Sequence, residues 1–109
     1  MSKIISSPSK RWPGSVKLAD PLTFPQLFGF QDALDAARAV TDGNDARLNH
    51  ALLVGIIPCV EEWNLANFPT PVTPDNFPAT PMRAAGQLIT WLIRELTELF
   101  GDAAEIPND

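Results

Sequence analysis

The sequence predicts a mainly α fold: about three helices, a proline-rich strap between the second and third, and a short extended or β arm at the N-terminus. Three observations lead there. Apolar residues recur at helical spacing in three stretches. Prolines crowd at Pro69, Pro71, Pro74, Pro78 and Pro81, where fixed φ and missing donors allow neither helix nor central strand. The opening residues hold short β-branched pieces broken by Pro8, Pro13 and Gly14. A chain of 109 residues is expected to form one domain, burying roughly 65 % of its unfolded surface. On this reading residues 1–22 are a basic extended arm and 23–101 a helical domain. Its helices lie at about 26–40, 45–64 and 81–100, its strap at 65–80, and 102–109 form a polar tail.

In the arm, Ile4 and Ile5 belong to one extended piece, while Val16 and Leu18 share a face of another. A small hairpin, or an arm laid along the helices, satisfies both. Trp12 reads as the anchor that docks this arm on the core, with a partner-facing aromatic as the other reading. Helix one starts at Asp20-Pro21 or at Thr23-Phe24-Pro25, carries Leu27, Phe30, Leu34 and Ala37 on one stripe, and ends in Thr41-Asp42-Gly43-Asn44.

Helix two, capped by Asn44 or Asp45, places Leu48, Leu52, Ile56, Val60 and Trp63 on a stripe flanked by Leu53, Ile57 and Cys59. Pro58 lies inside it and should kink it between Val54 and Pro58, with Gly55 easing the bend. The stretch from Glu61 to Pro81, the end of helix two and the strap, carries Trp63, Leu65, Phe68 and Phe77, too many apolar groups for a solvated tether. Thr80 and Pro81 are a good cap and first position for helix three. That helix sets Ala85, Leu88, Ile89, Leu92, Leu96 and Leu99 on one face, widened by Ile93 and Phe100, and stops at Gly101. Its apolar sector spans roughly 140°, wider than one neighbour needs, and Trp91 falls outside it, either facing a partner or folding back to cover the strap.

Charge and composition narrow the function classes. The net charge is −5, but Lys3, Lys10, Arg11 and Lys17 put four positive charges and no acid in residues 1–17, so the remainder carries −9. Overall acidity disfavours nucleic acid as the main partner. No apolar run approaches the ~20 residues of a membrane span, and the first residues lack a hydrophobic signal region, so a cytosolic protein is expected. One cysteine, Cys59, permits no internal disulfide, and Cys and His are too few for structural zinc.

Candidate chemistry is sparse. His50, the sole histidine, lies off the helix-two stripe, and Cys59 sits in an apolar turn that would keep it a thiol. The carboxylate pairs Glu61/Glu62 and Glu95/Glu98 read as solvated faces. The acidic loop at Asp42, Asn44 and Asp45 has Leu53 where a calcium loop needs glutamate. Ser7 and Lys10 match S-x-x-K spacing without its companion motifs. The reading is a non-enzyme with no catalytic, cofactor-binding or metal residues and no cofactor.

The end of helix two and the strap carry a resemblance. VEEWNL at 60–65, PVTPDNF at 71–77, a proline-capped last helix at 80–100 and WPGSVKLADPLTFPQ at 12–26 resemble the small tail assembly chaperones of long-tailed bacteriophages. The likeness covers about two thirds of the chain. It implies a mainly helical protein of the bacterial host cytoplasm that coats the hydrophobic, helical tape-measure protein until tail-tube subunits replace it. The partners implied are therefore the tape-measure protein and the tail-tube protein, with homo-oligomers possible and no nucleic acid or membrane. The family supplies no binding residues. The residues themselves suggest a groove between helices two and three lined by Trp63, Phe68, Phe77 and Trp91. Two other readings are a structural tail or head accessory protein of the virion and a small acidic host-directed phage protein.

Overall fold

Val16 and Leu18 alternate with Ser15 and Lys17, the period-two pattern that buries one face of a strand. A computed structural model, which describes residues 2–20, 22–41, 43, 45–68, 71–73 and 82–104, places them in strand β2 (Gly14–Ala19), both at 0 % exposure. Strand β1 (Ser2–Ser6) pairs antiparallel with β2, Ile5 opposite Val16, so the β-branched pieces of the arm form a hairpin. The other edge of β2 is taken by β3 (Val60–Leu65), also antiparallel, giving the order β1-β2-β3. Gly14, at φ +131°, makes the close crossing possible: a Cβ there would lie 2.0 Å from the Asn64 carbonyl oxygen.

Helix α1 (Phe24–Arg38) begins at Thr23, whose hydroxyl accepts from the Gln26 N–H, while the Gln26 side chain accepts from the Thr23 N–H at 2.7 Å. This reciprocal cap satisfies two of the donors a helix start leaves open. Helix α2 (Asp45–Ile56) packs against α1 at a crossing set by Gly55, where an added Cβ would come within 2.4 Å of Ala33 Cβ and 2.7 Å of the Gly29 carbonyl oxygen. A 3-10 turn (Ile57–Cys59) containing Pro58 then hands the chain to β3. Helix α3 (Met82–Ala104) contributes the buried row Ala85, Leu88, Ile89, Leu92, Leu96 and Leu99. Phe30 of α1 meets Phe100 of α3 at a centroid distance of 5.4 Å.

These elements correct the expected fold class. The described residues form an α+β mixture of three helices and a three-stranded antiparallel sheet, not a mainly α domain with a short N-terminal arm. The proline ends α2 instead of kinking it, because Pro58 has no N–H for a helical bond and the chain turns extended at Val60. Residues 60–64, expected to be helical, are strand. A bulge lies opposite Lys17 and Leu18, which pair with Glu62 and Val60 and leave Glu61 extra. Helix α3 also runs through Gly101, where it was expected to stop. The expected Thr80-Pro81 cap and most of the strap lie outside the described residues.

Two helical glycines, Gly55 of α2 and Gly86 of α3, separate packing from propensity. Gly55→Ala is expected to destabilise the fold by about 1–3 kcal/mol, since overpacking the crossing outweighs the gain in helix propensity. Gly86→Ala, with nothing within 4 Å of the added methyl, should stabilise it by up to about 1 kcal/mol. Urea unfolding of the two variants and the parent checks both signs.

Candidate partner-binding surface

Trp12 organises the interior face of the hairpin loop. Its ring lies edge-on to Phe68 at 5.5 Å and tilted against Trp91 at 5.6 Å, and its indole N–H donates to Gln87 Oε1 at 3.4 Å. The loop is fastened from outside as well. The Ala66 N–H donates to the Pro13 carbonyl at 2.8 Å, and Asn67, held at φ 67°, donates through Nδ2 to the Arg11 carbonyl at 2.7 Å. Asparagine tolerates this left-handed backbone better than most residues. Lys3, at the far end of the sheet, reaches Glu95 of α3 at 3.9 Å.

This arrangement decides the fate of the expected groove. Trp63 is 6 % exposed, Phe68 9 % and Trp91 5 %, so all three are buried in the core and do not form an open groove. Phe77 lies outside the described residues. The reason is the sheet: helix α3 has α2 on one side and the hairpin loop on another, so its buried sector extends round to Trp91. Trp63 and Leu65 occupy the inward positions of β3, beside Val16 and Gly14 of β2.

Apolar surface is exposed elsewhere. Phe24 is 75 % exposed and Phe28 57 %, and their rings stack at 6.1 Å with planes 20° apart. They are one helical turn apart on α1, turned away from the face that carries Phe30, Ala33 and Ala37 into the core. Exposed Gln31, Asp32 and Asp35 continue that outward face, Asp35 pairing with Arg38 at 3.0 Å. The sequence reading missed this pair because it followed the inward stripe. The available signal was Phe28, which falls about 160° from Phe30 on a helical projection and so cannot share its face.

Among the described residues chemistry-bearing side chains do not converge. His50 is exposed on α2, and among the described residues no three His, Cys, Asp or Glu side chains gather as metal ligands would. Glu61 accepts from the Ser2 hydroxyl. Cys59 is fully buried with Sγ 3.7 Å from the Gly55 carbonyl oxygen, and burial pushes its thiol up from 9.0 to about 11. Among the described residues no helix is long and apolar enough to cross a membrane. No protein-family model matches the chain, and neither a curated protein nor a solved structure is significantly similar to it.

The buried thiol makes a reactivity prediction. At pH 8 a pKa near 11 in place of 9.0 leaves about a hundredth of the thiolate, so iodoacetamide should modify native Cys59 at least about a hundredfold more slowly than the urea-unfolded chain. The folded state holds this proton more tightly than the unfolded state. The stability contributed is therefore complete below pH 9 and declines as the pH rises from 9 towards 11. Equal alkylation rates in the two states would show that the turn at Cys59 opens freely.

Proposed function

We propose that this chain is a tail assembly chaperone of a long-tailed bacteriophage, one that keeps apolar helical stretches of the tape-measure protein soluble in the host cytoplasm until tail-tube subunits take its place. The observation that carries the holding role is the stacked, outward Phe24/Phe28 pair. Isolated exposed apolar residues are ordinary on a folded surface; two large rings stacked on the face opposite the core form a patch that another apolar surface can cover. Burying one phenylalanine is worth about 1.5–3 kcal/mol, so capping the pair supplies enough for a weak, reversible hold when repeated along an extended partner.

The phage assignment rests on the likeness of residues 12–26, 60–65, 71–77 and 80–100 to those chaperones. The net charge of −5 supports the same reading, because a carrier of hydrophobic cargo must itself stay dispersed. The contact surface in this proposal is the outward face of α1, not the tryptophans between α2 and α3. A structural accessory protein of the virion is the competing reading.

Co-expression with the tape-measure protein is the test. The parent chain should raise the soluble fraction of that protein. The Phe24→Ser/Phe28→Ser double variant, unchanged in circular dichroism and melting temperature, should lose at least about tenfold in binding. No rescue by the parent, or full rescue by the variant, overturns the reading. Mass spectrometry of purified virions should find the chain absent; a stoichiometric presence assigns it to the accessory class.

A further inference from the structure

Cations in this acidic chain are unevenly placed. An open cleft of about 820 Å³ between the β1–β2 loop and the N-terminal half of α3 is lined by Lys10 and Arg11 on one side and Arg83 and Arg94 on the other. These are four of the chain's eight Lys and Arg residues, and among the described residues no carboxylate lines the cleft. All four are exposed, and none forms an ion pair with a described residue. A neighbouring recess of about 250 Å³ shares Arg11 and Arg83 and adds Phe68 and Ala84, so an apolar hollow opens beside the charged channel.

We propose that this cleft docks an acidic segment of a protein partner, on a surface separate from the aromatic pair of α1. Like charges gathered without counter-charges repel one another, and an occupant rich in carboxylates converts that repulsion into attraction. The geometry specifies the occupant. Arg83 and Arg94 are three turns apart on one face of α3, about 16 Å, which matches about five residues of extended chain. An isolated inorganic anion cannot bridge cations spread over that length. Nucleic acid fits poorly for a different reason. Trp12 and Trp91, the aromatic rings at the cleft, are 2 % and 5 % exposed and offer no face on which bases could stack. The apolar hollow suits one aliphatic or aromatic side chain flanked by acids.

Fluorescence anisotropy with labelled deca-glutamate tests the proposal. Binding to the parent chain is expected at about 50 mM salt and should weaken by about 200 mM. Arg83→Glu/Arg94→Glu should lose at least about tenfold in affinity, whereas Lys17→Glu/Arg38→Glu, with the same change in net charge away from the cleft, should change it less than about twofold. Circular dichroism confirms that both variants are folded. The proposal is overturned if deca-glutamate does not bind the parent, if both variants lose affinity equally, or if labelled decathymidylate binds the parent more tightly than deca-glutamate does.

Discussion

The fastening of Trp12 between Phe68 and Trp91 is the constraint on which the rest of the structure depends. A large ring in a seven-residue hairpin loop, 2 % exposed and hydrogen-bonded to α3, ties the first strands of the chain to its last helix. A hairpin on its own is at best marginal in water, so β1 and β2 depend on β3 and on this tie to α3. With it, the sheet acquires a covered inner face, and Ile5, Val16, Leu18, Trp63 and Leu65 join the core contributed by the helices. The hydrogen bonds from Ala66 and Asn67 back to Pro13 and Arg11 hold the exit of β3 against the same loop. Hairpin, third strand and last helix therefore close as one unit.

Part of this was legible in the sequence. The inward row of α3 and the apolar alternation of β2 follow from periodicity, and Thr23 was one of the two starts that cap chemistry offered for α1; each is local. The third strand was not legible because its signals conflict. Trp63 and Leu65 alternate with Glu62 and Asn64, but the bulge at Glu61 puts two glutamates side by side on the exposed face and breaks the period of two. Leu48, Leu52, Ile56, Val60 and Trp63 meanwhile imitate a helical stripe, and only a partner strand more than forty positions earlier in the chain settles the contest. Burial of the aromatics went astray for the same reason. Counting apolar groups against three helices leaves a surplus, and the sheet completed by the unforeseen third strand absorbs it.

The surfaces that remain are chemically distinct. One is aromatic, outward on α1 and bordered by Asp32 and Asp35; the other is cationic and runs along α3. An acidic body with a confined basic channel can bind by charge at one place and by apolar contact at another. That separation lets each be altered without disturbing the core, since Phe24 and Phe28 on one surface and Lys10, Arg11, Arg83 and Arg94 on the other are exposed.

The central claim is that the tryptophans are structural. Collisional quenching by acrylamide, a neutral probe, reads all three at once. Strong shielding of Trp12, Trp63 and Trp91 is expected in the native chain relative to the denatured one. Native tryptophans quenched as readily as denatured ones, or shielded only after a partner binds, would contradict it and restore them as the docking surface.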